Sequence, residues 1–86
     1  MTHAKYKVLL TRRFEKDLKK LPVHVQKQLL LALQHLAINP HDGDRLQNVK
    51  IGQWKWRIGN YRIRYDIDGN NVLLHAVKHR KEIYRK

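Results

Sequence analysis

The second half of the chain alternates between apolar and basic side chains, and this period of two constrains the fold more than any other feature. Aromatic or branched apolar residues occupy every second position of segments 54–58 and 61–67, and Lys or Arg fills most positions between them. Such alternation is typical of β-strands with one buried face. Gly59–Asn60 separates the two segments, and Asp-Gly-Asn-Asn at 68–71 precedes an apolar run at 72–77. These turn signals predict an antiparallel three-stranded meander.

The first half has the period of helices. Loose alternation over Lys5–Leu10 predicts a strand, and Thr11 then suits a helix N-cap, because apolar residues follow at a helical spacing up to Leu21. A second helix is predicted from the first turn at Pro22 to the stop at Asn39–Pro40, followed by a loop at 41–44. Its apolar stripe comprises Val25, Leu29, Ala32, Leu33 and Leu36.

The order of these elements, β-α-α-β-β-β, predicts an α+β fold in which a helical hairpin packs on one face of a sheet. With 86 residues, we expect a single domain over residues 1–86. The absence of cysteine excludes disulfide frameworks and thiolate metal sites. No apolar run approaches the roughly 18 residues that span a bilayer, and Met1–Leu10 lacks the apolar core of a signal peptide. We therefore expect a cytoplasmic protein with no segment in a membrane.

Net charge indicates the class of partner. Nineteen Lys and Arg against seven Asp and Glu give a formal charge of +12. A field of that sign attracts polyanions, so nucleic acid is the first candidate. An anionic membrane surface or an acidic protein segment comes next. A basic protein with no polyanionic partner is the remaining alternative, and the placement of the charges bears on it.

The hairpin register concentrates the cations on one face. If Gly59–Asn60 is a two-residue loop, Arg57 lies opposite Arg62 and Lys55 opposite Arg64. All four then point away from the aromatic face that the helices cover. Like charges facing each other destabilise a strand pair by roughly 0.2–1 kcal/mol. This cost favours a polyanion-binding face, although exposed strands also carry Lys and Arg for solubility.

A second two-residue turn at Gly69–Asn70 predicts the register of the last two strands. In that register His75 joins the basic side of the sheet. The predicted pairs are Asp66 with Leu73, Arg64 with His75, and Arg62 with Val77.

Two segments carry a family resemblance. Residues 54–65, WKWRIGNYRIRY, followed by HRKEIY at 79–84, resemble the RelE branch of the RelE/ParE toxin superfamily. The resemblance extends over most of the chain and implies a fold like that of the small microbial ribonucleases. It also implies the toxin component of a type II toxin–antitoxin system, an endoribonuclease that enters the ribosomal A site and cleaves mRNA. The implied partners are mRNA, the ribosome and a cognate acidic antitoxin.

The resemblance also implies roles for particular residues. Lys55 matches the general base, and Arg57 matches the second basic residue of that strand. Arg62 matches the arginine that stabilises the phosphate. Arg80 matches the residue assigned to leaving-group protonation or transition-state stabilisation, and Tyr84 the tyrosine that stacks on or orients a base.

The sequence departs from RelE at several points. Arg57 stands where RelE has lysine, and the segment between Arg80 and Tyr84 is two residues shorter. His79 is an alternative proton donor. No ligand spacing links the remaining histidines, so we expect neither a metal nor another cofactor. Four further residues are expected to bind RNA: Arg64, His75, Lys78 and Lys81.

Two other functions stay open. ParE-like relatives share the fold but poison DNA gyrase by binding it, and they generally lack the full basic set. A non-catalytic RNA-binding relative would use the same cations as a nuclease. The joint presence of Lys55, Arg57, Arg62 and Arg80 favours the metal-independent endoribonuclease.

Overall fold

The computed structural model describes residues 5–83 and confirms the α+β architecture, with one strand more than predicted. The sheet order is β1-β5-β4-β3-β2, in which β1 runs parallel to β5 and the other pairs are antiparallel. Between residues 5 and 83, no helix combines the length and apolar character needed to cross a membrane. The elements are β1 (Lys7–Leu10), α1 (Arg12–Lys19), α2 (Val23–Ile38), a 3-10 turn (Pro40–Asp42), β2 (Asp44–Arg45), β3 (Trp54–Ile58), β4 (Tyr61–Asp68), β5 (Asn71–His79) and α3 (Arg80–Ile83).

Local signals set the start of α1 and the end of α2 as the sequence predicted, but α1 ends at Lys19, before the predicted end near Leu21–Pro22. The hydroxyl of Thr11 accepts the backbone N–H of Phe14 (3.2 Å), which satisfies one of the unpaired donors at the start of α1. The same hydroxyl donates to the carbonyl of Leu74 (2.9 Å), so the helix start is tied to β5. Pro22 is the N-cap of α2, and the helix ends directly before Asn39–Pro40.

The core lies between α2 and the aromatic face of the sheet, on the side that the alternation predicted. Tyr65 is fully buried there, and its hydroxyl donates to the carbonyl of Pro40 (2.6 Å). Burial raises the pKa of Tyr65 well above its ordinary value, and the charge of Asp44 adds to the effect. The buried apolar side chains are Phe14, Val25, Leu29, Ala32, Leu36, Ile58, Ile63, Tyr65, Val72, Leu74 and Val77.

The segment predicted as a loop at 41–44 is partly structured, which corrects the sequence interpretation. Its first residues belong to a 3-10 turn, and Asp44 begins the edge strand β2, where it pairs with Lys55. A two-residue strand shows no alternation along the sequence. Its formation depends on the free edge that β3 offers, which is a tertiary feature.

The predicted register of β3 and β4 is confirmed, but that of β4 and β5 is wrong beyond its first pair. Asp66 pairs with Leu73 as predicted. The next pairs are Tyr65 with Leu74 and Arg64 with Ala76, so His75 is an extra residue in β5. This irregularity is a β-bulge, which places two residues of one strand opposite one of its neighbour. Beyond it, Arg62 pairs with Lys78 instead of Val77.

Asp17 of α1 accepts a backbone hydrogen bond from the edge of β5 beyond the end of β1. Because β1 pairs with β5 only as far as Leu74, the backbone of β5 beyond that point lacks a neighbouring strand on this edge. Asp17 is 7% exposed, and its Oδ2 accepts the backbone N–H of Val77 (3.2 Å). Its Oδ1 lies 3.2 Å from Nζ of Lys78. The carboxylate therefore satisfies the edge of β5 and compensates a neighbouring cation.

Replacing Asp17 by alanine removes the carboxylate that contacts both the backbone N–H of Val77 and the ammonium group of Lys78. We expect Asp17→Ala to lower the free energy of unfolding by about 2–3 kcal/mol, because a buried N–H loses its acceptor and Lys78 loses one of its partners. Urea unfolding followed by circular dichroism measures the change. Glu15→Gln, at an exposed position of the same helix, is the control and should shift stability by less than about 0.5 kcal/mol. Equal stability of the two variants would contradict the assigned role.

Candidate nucleic-acid interface

Four cations share the face of the sheet opposite the helices. Lys55 pairs with Arg64, and Arg57 pairs with Arg62, in the β3–β4 register. Since their neighbours in sequence pack against the core, alternation directs these four side chains to the other side. We call Lys55, Arg57, Arg62 and Arg64 the basic face. Lys78 of β5, opposite Arg62, extends it toward α1.

Arg62 is held within the protein, which the sequence did not indicate. Its side chain is 6% exposed, and Nη1 donates to the carbonyl of Tyr61 (3.1 Å) and weakly to that of Gly59 (3.4 Å). An arginine has five N–H donors, and those on Nε and Nη2 make no hydrogen bond within residues 5–83. The guanidinium thus stiffens the hairpin turn and keeps donors for an anion.

Arg64 anchors the segment that leads into β3. Its Nε donates to the carbonyl of Gly52 (2.7 Å), which leaves the two Nη groups for other partners. Gly52 has φ of +68°, and a Cβ there would lie 3.2 Å from Cβ of Arg64. Both the left-handed backbone and the close approach therefore require glycine.

A carboxylate and an imidazole complete the anchoring of this segment. Oδ2 of Asp66 accepts the backbone N–H of Gly52 (2.8 Å) and lies 2.8 Å from Nε2 of His75, while Oδ1 accepts the N–H of Gln53 (2.7 Å). Burial raises the pKa of Asp66, but the hydrogen bonds from Gln53, Gly52 and His75 outweigh it, so the pKa lies below its ordinary value. Sequence reasoning missed this cluster, although the alternation over 61–67 places Asp66 on the same side of β4 as Arg62 and Arg64.

A cavity of about 470 Å³ opens beside the basic face. Its floor is β4 and β5, and its walls come from α1 and from the segment before β3. Lys78 in this lining is paired with Asp17, and His75 with Asp66. The lining residues are Arg13, Ile51, Gly52, Arg64, His75, Ala76 and Lys78.

The C-terminal site residues lie at the end of β5 and in α3. The exposed Arg80 begins α3, and its backbone N–H donates to the carbonyl of Asn60 (2.7 Å), so the helix starts beside the β3–β4 turn. His79 instead follows Val77 by two residues and packs edge-on against Tyr61, with ring centroids 5.1 Å apart. It therefore lies away from the basic face. Its Nδ1 accepts the N–H of the exposed Lys81 (3.2 Å). Tyr84 lies outside the described residues.

Comparison with known proteins gives a family match along most of the chain. Residues 8–84 match the family described as ParE toxin of type II toxin–antitoxin system. Toxin RelE3 of Methanocaldococcus jannaschii is 32% identical over 83 residues, which cover 91% of this chain and 94% of that protein.

Solved structures agree with this match. The fold superposes on a chain of the toxin–antitoxin complex RelBE2 from Mycobacterium tuberculosis with a TM-score of 0.78 and 30% identity, over 87% of this chain and 98% of that one. A chain of the RelB–RelE antitoxin–toxin complex from Methanococcus jannaschii gives a TM-score of 0.74 and 30% identity, over 88% and 94%.

Asp66 allows a test of how the site is held together. We expect Asp66→Asn to lower the free energy of unfolding at pH 7 by about 1–3 kcal/mol, because its hydrogen bonds favour the charged carboxylate. Since the pKa of Asp66 is lowered in the folded protein, the advantage over the variant is complete above the ordinary carboxyl pKa of about 3.9. It disappears as the pH falls through the lowered value. Urea unfolding of both proteins at pH 7, 5 and 2 measures this profile.

The matched control is Asp68→Asn, which removes an exposed carboxylate from the end of the same strand. It should leave stability unchanged within about 0.5 kcal/mol. A difference between wild type and Asp66→Asn that does not vary with pH would show that the carboxylate charge is not what anchors the segment.

Proposed function

Since this chain belongs to the ParE toxin family of type II toxin–antitoxin systems, we propose that this RelE-like toxin is a ribosome-dependent endoribonuclease that cleaves mRNA in the A site. The observation that carries the proposal is the basic face, where four cations are fixed side by side on two paired strands. A rigid strand pair sets their spacing. Such an array can bind a phosphodiester backbone. It does not favour folding, because facing like charges destabilise the pairing of the two strands.

The proposed reaction is an internal transesterification. The ribose 2′-oxygen attacks the adjacent phosphorus as its proton passes to a base, and the bond from phosphorus to the 5′-oxygen breaks as that oxygen takes a proton. A 2′,3′-cyclic phosphate and a 5′-hydroxyl result. The reaction needs a base, a proton donor and cations that stabilise the extra negative charge on the phosphorane.

The chain offers candidates for the base and for the stabilising cations, whereas the proton for the leaving oxygen comes from water or from a group of the ribosome. We assign Lys55 as the base, with Arg57 beside it on β3. Arg62 is assigned to the phosphorane oxygens, because its Nε and Nη2 groups keep their donors and burial strengthens their field. Arg80 stabilises charge at the leaving oxygen, since arginine stays protonated in proteins and serves better as an electrostatic clamp than as an acid. Tyr84 is the proposed contact to a base.

Dependence on the ribosome follows from what the basic face lacks. Small ribonucleases that act alone need a proton donor and acceptor already in place. Here the carboxylate of Asp66 is engaged by two backbone N–H groups and by His75, and His79 lies on the other side of the sheet. Asp44 pairs with Lys55 only at the short edge strand β2. We propose that the ribosome positions the RNA and completes the set, a contribution that reaches several kcal/mol.

An acidic antitoxin is the proposed protein partner. The similar structures from Mycobacterium tuberculosis and Methanococcus jannaschii are of toxins in complex with antitoxins. A chain of formal charge +12 favours an acidic partner. Such a segment would compete with RNA for the basic face, and we propose that this competition is the basis of inhibition.

Gyrase poisoning is a second candidate, because the matching family model is that of ParE toxins. Induction of the toxin in growing cells separates the two functions. Primer extension on a translated message detects cuts in the A site, whereas a gyrase poison produces DNA breaks and leaves the message intact.

Charge removal on the basic face tests the nuclease proposal. Lys55→Ala and Arg80→Ala should each reduce A-site cleavage by about 100-fold or more, because each removes a proton-transfer or charge-stabilising group. Primer extension on ribosome-bound message measures the rate. The control is Lys27→Ala, which removes an exposed cation from α2 on the opposite side of the sheet. Full cleavage by both site variants would refute these assignments.

The need for the ribosome is tested with purified components. We expect the toxin to cut message on programmed ribosomes at least about 1,000-fold faster than the same RNA in buffer, because positioning supplies several kcal/mol. Gel analysis of end-labelled RNA over a time course gives both rates. Comparable rates would mean that the chain alone completes the catalytic set.

A further inference from the structure

We propose that the cavity beside the basic face binds one whole nucleotide of the RNA, adjacent to the nucleotide that is cleaved. Its phosphate would lie between Arg13 and Arg64, and its base or ribose against Ile51. This inference rests on the proposed function for its biological meaning, but the binding it describes is testable without cleavage.

The cavity has the size and composition of a nucleotide site. Its volume of about 470 Å³ lies within the range of small-molecule pockets. Cations stand at its rim, and Ile51 forms an apolar wall. Ile51 is 68% exposed, although a large apolar side chain gains by burial. A base or ribose seated on it would cover this surface.

The donors around the cavity suit a phosphate. Arg13 is exposed and makes no hydrogen bond or ion pair within residues 5–83. Arg64 uses only Nε, for the carbonyl of Gly52, so both of its Nη groups remain for an anion. Two guanidinium groups can contact phosphate through paired N–H donors. The charge of Lys78 is compensated by Asp17, which leaves the two arginines as the excess positive charge.

The walls of the cavity are held in place before any ligand binds. Asp66 accepts the N–H groups of Gly52 and Gln53, and Arg64 holds the carbonyl of Gly52. The same carboxylate fixes the imidazole of His75 through Nε2. Its Nδ1 has no hydrogen bond in the described part of the chain. Because these groups are already ordered, binding loses less conformational entropy.

The position of the cavity relates it to the cleavage site. Arg64 of β4 lines the cavity. Arg62 lies two residues earlier in the same strand and on the same face, which is about 6.6 Å along the strand axis. A nucleotide in the cavity therefore adjoins a phosphate at Arg62. The site would select or orient the nucleotide next to the cut, and it adds a residue of α1 to an interface otherwise formed by the sheet.

Adenosine 5′-monophosphate and inorganic phosphate are suitable probes for the purified protein at low ionic strength, with affinity measured by NMR titration of backbone amides. We expect Arg13→Gln to raise the Kd for both probes about tenfold, because a charge-assisted contact is lost. Arg13→Lys should restore part of it. Ile51→Ala should weaken the mononucleotide and leave phosphate unaffected. Arg12→Gln is the control, since it makes the same charge change at the neighbouring exposed position outside the cavity lining.

The outcomes separate this inference from the nuclease proposal. If the toxin cuts message on ribosomes but Arg13→Gln binds both probes like Arg12→Gln, the cavity assignment is wrong and the nuclease proposal stands. If the wild type cuts no message but its mononucleotide affinity depends on Arg13 and Ile51, the site is supported and the nuclease proposal is wrong. Amide shifts confined to residues outside the cavity lining would also overturn the assignment.

Discussion

Alternation of side chains along β3 and β4 decides on which face of the sheet the four cations of the basic face lie. Because Trp56 and Ile63 pack on the core side of the sheet, the residues next to each of them in sequence lie on the opposite face. Turning either strand over to move its cations to the other face would expose the buried side chains of Ile58, Ile63 and Tyr65 to water. The same interactions that stabilise the core therefore hold Lys55 and Arg64 beside each other.

The repulsion within this array is reduced by acceptors that belong to the fold itself. Arg62 donates to carbonyls of the β3–β4 turn, Arg64 donates to a carbonyl of the segment before β3, and Lys78 pairs with Asp17 of α1. The backbone carbonyl groups occupy only some of the N–H donors of Arg62 and Arg64. Arg62 and Arg64 are thus partly compensated, enough to be fixed in position, and still present N–H groups to an anion.

Local signals in the sequence were sufficient for the helices and for the β3–β4 hairpin, because Thr11, Gly59–Asn60 and Asn39–Pro40 act on their immediate neighbours. They also sufficed to bring the basic face together. The edge strand β2, the burial of Arg62 and the role of Asp66 depend on contacts between residues that are distant in sequence. A carboxylate that accepts backbone N–H groups 13 and 14 residues away leaves no periodic trace along the chain. In the sequence, Arg13 cannot be distinguished from the other exposed cations of α1. Its place in the cavity lining depends on the packing of α1 against β5.

The bulge at His75 determines which face of the sheet each later residue of β5 occupies. With this extra residue, Val77 packs in the core and Lys78 joins the basic side. A β5 shorter by one residue at this point would exchange the two, placing an ammonium group among apolar side chains and an isopropyl group among cations. Chain length at residue 75 is therefore under the same constraint as residue identity, and loss of a single codon there would be more damaging than most substitutions in the strand.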